Sequence, residues 1–172
     1  MFQNVNFTSG TIHIIDSALT IPPNITTTLT NNNLTSLASA LTTAKLVTPI
    51  SEIPQLTIFA PNNAAFAAIA SVASSLSVDE LSAILSYHVV PGAVVYSTDI
   101  TNGLKAPTVL GNDLTLRIEG NAVFVNDARV IKANVLTKQG VVHVIDKSVP
   151  PISLHVTSVD DMSLDVLTCD LI

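Results

Sequence analysis

Hydrophobic positions along this chain change their spacing about half-way. Residues 5–16 alternate loosely and then run apolar through Ile12–Ile15, the pattern of a strand buried on both faces. Pro22-Pro23 stops that run, and the polar stretch Asn24 to Asn33 reads as a linker. Helical spacing follows. Leu34, Leu37, Ala38 and Leu41 form one stripe, capped by Asn33 or Thr35 and ending near Leu46 ahead of Pro49. Leu56-Thr57-Ile58-Phe59-Ala60 is a short β-type run that stops at Pro61, and Asn62-Asn63 offers a cap for Ala64 to Ile69. Ser77-Val78-Asp79-Glu80 has the form of a capping box, in which hydroxyl and carboxylate each satisfy an unpaired backbone N–H. Its helix carries Leu81, Ile84, Leu85 and His88 on one face and stops at Pro91-Gly92.

From Val94 onward the period becomes two. Leu114, Leu116 and Ile118 alternate with polar neighbours, Gly120-Asn121 turns the chain into Ala122–Val125, and further strands are expected around Arg129–Ile131 and from Gly140 to Asp146. Helices gather in the first half and strands in the second. That segregation predicts an α+β fold rather than alternating βαβ units.

Composition narrows the function classes. Aromatic residues are 4% and charged residues 12%, so the core must be aliphatic and the surface must take its polarity from Thr, Ser and Asn. With 7 basic residues against 13 acidic ones, scattered singly, the chain lacks the basic patch that nucleic acid or an anionic membrane requires. A lone cysteine, Cys169, excludes an intramolecular disulfide and reads as a tail residue. The opening Met1-Phe2-Gln3-Asn4 lacks the basic and apolar regions of a secretory signal, and no run of 18 apolar residues occurs. Three N-x-[ST] sequons, at Asn6, Asn24 and Asn33, are candidate N-glycosylation sites and lean toward a secreted protein.

One pattern recurs. Gly10-Thr11-Ile12-His13-Ile14-Ile15-Asp16 reappears as Gly140-Val141-Val142-His143-Val144-Ile145-Asp146. A period of 130 residues is too long for a solenoid and is about one domain. The expected organisation is a remnant of a preceding unit at 1–22, a linker at 23–32, a complete domain at 33–151 and a tail at 152–172. Left exposed, the strand at residues 7–16 invites edge pairing, so it is expected to dock on the intact domain's sheet, to be covered by residues 152–172, or to self-associate with a neighbouring copy.

Three segments in this order resemble the fasciclin (FAS1) domain family. Thr57 to Phe66 is similar to that family's first signature, Leu85-Ser86-Tyr87-His88-Val89-Val90 to its central Tyr-His motif, and Gly140 to Asp146 to its second signature. Gly10 to Asp16 then resembles the closing strand of a preceding domain of the same kind. The resemblance implies a β-wedge of two packed sheets with a cluster of helices to one side. It also implies an extracellular or cell-surface adhesion or matrix module that binds proteins or glycans, with no cofactor and no catalytic apparatus. In some animal members the Tyr-His region is linked to partner binding, which makes Tyr87 and His88 the candidate contact residues here.

Each of these residues also has a structural reading. His88 shares a stripe with Leu81 and Leu85 and fits a buried histidine bonded to backbone groups; Tyr87 lies one step off that stripe. His13 and His143 sit in apolar strands and read as hydrogen-bonded core histidines, while Asp16 and Asp146 read as turn-formers that accept backbone N–H bonds. Asn62 and Asn63 read as helix caps. No nucleophile elbow, phosphate loop or metal-ligand spacing is present. The alternative from another class is a binder of lipophilic small molecules, or a recruited non-hydrolytic enzyme, using an apolar cleft between wedge and helices.

Overall fold

In a computed structural model, which describes residues 4–14, 18, 20–69, 77–120 and 122–149, the helices and strands segregate as the periodicity predicts. Two short strands come first, β1 (Asn4–Phe7) and β2 (Gly10–His13). Helices α1 (Ile25–Asn31), α2 (Thr35–Thr43) and α3 (Val47–Glu52) precede β3 (Leu56–Pro61). Then come α4 (Asn63–Ala68), α5 (Val78–Tyr87) and β4 (Val89–Val90). The described elements close with β5 (Leu104–Pro107), β6 (Asp113–Glu119), β7 (Ala122–Val125), β8 (Ala128–Leu136) and β9 (Gly140–Ile145).

Seven strands form one sheet in the order β4-β3-β9-β8-β7-β6-β5. Strand β3 runs parallel to β9 and antiparallel to β4, and the remaining pairs are antiparallel. Every residue of β3 is buried, because both of its faces are covered. Leu56, Ile58 and Ala60 on one face join Val142 and Val144 of β9 beneath Leu29, Leu37, Leu41, Ile50 and Leu85 of the helices. Phe59 and Ile145 on the other face meet Ala106, Leu114, Leu116 and Val125 from β5, β6 and β7. Alternation with period two thus builds two cores on the two sides of one strand pair.

The expected wedge is present, but its two layers are halves of one continuous sheet. Strand β8 pairs with β7 on one side and β9 on the other, and its register with β9 shifts between Val130 and Lys132 and between Lys132 and Val135. Such irregularities bend a strand and raise its twist, so the sheet folds back over itself. At the closed end, the Val109 N–H donates to the Val89 carbonyl at 2.8 Å, joining the far side of the fold to strand β4.

Three local expectations are corrected. The stretch read as a linker at 23–32 contains α1, capped by Asn24, whose Oδ1 accepts from the Thr27 N–H at 2.9 Å. Ile25 and Leu29, one turn apart, bury against the helical core and outweigh the weak helix propensity of the intervening threonines. Pro49 lies beyond α2 as expected, but inside a further helix, α3, where no helix was expected; it takes the third position of the first turn, where the missing N–H has no partner to lose. The single strand expected at 5–16 is a hairpin in which β1 and β2 form a separate two-stranded sheet with exposed residues, His13 among them. His13 is therefore not a core histidine. Ile15, Asp16, Cys169 and residues 152–172 lie outside the described residues.

Candidate functional site

The strands of the three sequence motifs lie side by side, with β3 between β4 and β9. The capping box forms as predicted: Ser77 Oγ accepts the Glu80 N–H, and Glu80 Oε2 accepts from the Ser77 backbone N–H at 2.8 Å. The bond from the Ser77 backbone, and then that from its hydroxyl, hold the Glu80 carboxyl below its ordinary range. The helix that starts there delivers Tyr87 at its last turn and His88 as its C-cap.

Neither side chain of the Tyr-His pair reaches the surface, with Tyr87 0% and His88 3% exposed. Tyr87 crosses the core to the far half of the sheet. Its hydroxyl donates to the Asp113 carbonyl at 3.2 Å and accepts from Asn126 Nδ2 at 3.2 Å. Asn126 holds a left-handed backbone (φ 52°) in the β7–β8 turn, and its Oδ1 accepts the Thr115 N–H at 2.9 Å. His88 uses both ring nitrogens. Nε2 accepts the Val149 N–H at 3.0 Å, so the proton sits on Nδ1, which donates to the Ile84 carbonyl at 2.7 Å. Burial pushes this imidazole below the usual histidine range, and the bond to Ile84 opposes that only in part. Tyr87 and His88, the residues read as candidate partner contacts, belong to the core in this structure.

The first and second signatures hold the segment that follows the Tyr-His motif. Thr57 Oγ1 donates to the Ala93 carbonyl at 2.9 Å and accepts the Val95 N–H at 2.9 Å. His143 Nε2–H donates to the Val95 carbonyl at 2.8 Å, and its ring stacks on Phe59 with centroids 5.5 Å apart. Burial lowers this histidine's affinity for a second proton, and its Nδ1 is buried with no hydrogen-bond partner. Asp146 accepts the Arg129 N–H at 2.8 Å, the turn role expected of it. Asn62 caps its own helix through the Ala65 N–H at 2.7 Å. Asn63 instead caps α2 from across the fold, accepting the Ser36 N–H at 3.1 Å and donating to the Asn33 carbonyl at 2.8 Å.

Sequence reasoning missed Asn126 and the long reach of Asn63. The signals available for them were an Asn-Asp turn between two strands and a second asparagine beside one that already suffices as a cap.

The surface offers something different. A groove of about 370 Å³ runs along α1 and α2, lined by Thr26, Ala38, Ser39, Thr42 and Thr43. Thr42 and Thr43 donate their hydroxyl protons to the Ala38 and Ser39 carbonyls at 2.8 and 3.0 Å, which leaves their oxygens as acceptors facing out. The groove carries no charge. Asn6, Asn24 and Asn33 are all exposed. Among the described residues, no group of three or more His, Cys, Asp or Glu side chains could hold a metal, and no helix is long and apolar enough to cross a membrane.

The Fasciclin domain profile matches residues 32–151, the stretch that contains all three motifs. The chain belongs to the fasciclin domain family. A fasciclin-like arabinogalactan protein of Arthroderma benhamiae is 37% identical over 147 residues, covering 86% of this chain and 35% of its own length. Protein sll1483 of Synechocystis is 38% identical over 141 residues, covering 79% of this chain and 76% of its own. Human periostin is 28% identical over 84% of this chain and 18% of its own. The chain thus spans about a third of the fungal relative and less than a fifth of periostin. Among solved structures, a FAS1 domain pair from the insect cell adhesion molecule Fasciclin I superposes with a TM-score of 0.57 at 22% identity, over 72% of this chain and 47% of that one. The fold is that of a fasciclin domain.

Proposed function

We propose that this fasciclin domain is an adhesion or matrix module that works outside the cell or at its surface, binding a protein or a glycan through its exterior. The reading assigns it no catalytic step and no cofactor. One observation carries it: Thr57, Tyr87, His88 and His143, the buried polar residues of the family motifs, bond to backbone carbonyls and amides inside the fold. Recognition then falls to the outer face. Support comes also from the insect structural neighbour, which is named as a cell adhesion molecule, and from the arabinogalactan naming of the fungal relative.

The hydroxyl-lined groove along α1 and α2 is the face best suited to a glycan. Neutral acceptors at fixed spacing meet sugar hydroxyls without the desolvation cost of a charge. That lining does not suit the lipophilic guest of the alternative reading. The three exposed sequon asparagines accord with passage through a glycosylating compartment. At Asn24 the capping bond uses Oδ1, leaving Nδ2 for a sugar.

A glycan array probed with the 172-residue chain and with a Ser39→Arg/Thr42→Arg variant tests the reading. Binding to a defined set of glycans that the variant loses by about tenfold supports it. An array on which both proteins bind alike removes the groove from it.

A further inference from the structure

The hairpin β1–β2 repeats the turn end of β8–β9 in sequence and in register, up to the irregularity between Lys132 and Val135. Adding 130 to the pairs Asn6↔Thr11 and Val5↔Ile12 gives Leu136↔Val141 and Val135↔Val142, both of which are formed. The likeness extends beyond the Gly-x-x-His-x-Ile-Asp motif, since Asn4-Val5 is matched by Asn134-Val135. Even the turn is of equal length: Phe7 opposes Gly10, and the Thr137 N–H bonds the Gly140 carbonyl at 2.9 Å.

What differs is the far edge. Strand β9 has β3 alongside it, with Thr57 and Ile58 opposite Val141 and Val142. Gly140 is glycine for that reason, because a Cβ there would fall inside the backbone of Leu56. In the described sheets β2 pairs with β1 alone. Gly10 therefore keeps the residue that a neighbouring strand demands in the equivalent place. The side chains tell the same story: Val142 and Val144 are 1% and 5% exposed beneath the helices, whereas their counterparts Ile12 and Ile14 are each 54% exposed.

We infer that β1–β2 is the closing hairpin of a second fasciclin unit, and that the far edge of β2 docks in parallel against that unit's own Thr-x-Phe-Ala-Pro strand. The helices of the same unit would cover Ile12 and Ile14, as α1, α2 and α5 cover Val142 and Val144. This occupant, and not a second hairpin, meets the register, the glycine and the apolar face together. A β2–β2 pairing between copies would leave the glycine unexplained.

The test is amide hydrogen exchange on the intact 172-residue chain, with a synthetic peptide of residues 54–68 added as the strand donor. Exchange across residues 10–14 is expected to slow by about tenfold or more. A Gly10→Val substitution is expected to abolish the protection while contacts between Val5 and Ile12 show the hairpin intact. A Thr8→Val control, in the turn, keeps it. Unchanged exchange at the solubility limit of the peptide overturns the inference. So does protection that survives Gly10→Val, or protection that grows with protein concentration alone, which would assign the edge to another copy.

Discussion

The imidazole of His143 donates its Nε2–H to the carbonyl of Val95 at 2.8 Å, and the N–H of that same Val95 is held by Thr57. A residue of the first signature and one of the second thus fix the two peptide groups on either side of the Val95 Cα, in the segment that leaves the Tyr-His motif. The two signatures contact the same stretch of backbone. This is a folding explanation of residues that sequence alone presents as candidates for binding.

Replacing His143 by Ala removes a buried donor, a ring stacked on Phe59 and the volume between them. The expected cost is about 2–4 kcal/mol, seen as a lower midpoint in urea with an unchanged slope. A midpoint within error of the parent would show that Val95 finds another donor and that the ring is not integral to the core.

Tyr87→Phe changes a single oxygen. It leaves the Asp113 carbonyl and Asn126 Nδ2 each short of one partner inside the fold. A loss of about 1–2 kcal/mol is expected. In a double-mutant cycle with Asn126→Ala the two losses should fall well short of adding, since both changes break the same bridge.

Gly140→Ala puts a methyl group where the backbone of Leu56 lies, so β3 and β9 cannot keep their present spacing. Expression should yield little folded protein, or a chain destabilised by more than about 3 kcal/mol. By contrast, Gly120→Ala meets open space and carries only the strain of a positive φ, 60°, at a hairpin turn. Its cost should stay near 1 kcal/mol, by thermal melting of the two side by side.

Acid should weaken this domain through its two buried histidines. Burial sets both below the ordinary histidine value of about 6.5, so the folded chain refuses protons that the unfolded chain accepts. Their contribution is complete above that value and is lost as pH falls below it through the lowered folded values. Protonation of His88 would also turn Nε2 from an acceptor into a donor facing the Val149 N–H. The slope of melting temperature against pH between 7 and 5 should flatten in a His88→Gln/His143→Gln variant. An equal slope would mean that other groups govern the response.

Much of the fold was legible where the local signals and the tertiary contacts agree. Ser77 and Glu80 cap α5, Asn62 caps α4, and the alternation at Leu114, Leu116 and Ile118 belongs to β6. The second half of Leu56–Ala60 points its neighbours to opposite cores, as a fully apolar strand should. Helix α1 escaped notice because only Ile25 and Leu29 mark its buried face among polar residues whose propensity argues otherwise. The site was less legible. A tyrosine one step off an apolar stripe can face solvent or core, and the decision rests on Asp113 and Asn126, which are remote in sequence. Asn63, too, acts on a helix 27 residues away, and no local pattern encodes that.

The central claim, that the motif residues build the domain while its exterior binds, is tested most directly by one comparison. Beads coated with the parent chain, with Tyr87→Phe or with Ser39→Arg/Thr42→Arg are measured for adhesion to immobilised polysaccharides and cell-surface proteins, alongside their melting curves. The account predicts that Tyr87→Phe melts earlier yet adheres like the parent, while the groove variant melts like the parent and adheres about tenfold less. A Tyr87→Phe protein that remains folded but no longer adheres, beside a groove variant that adheres fully, would contradict it.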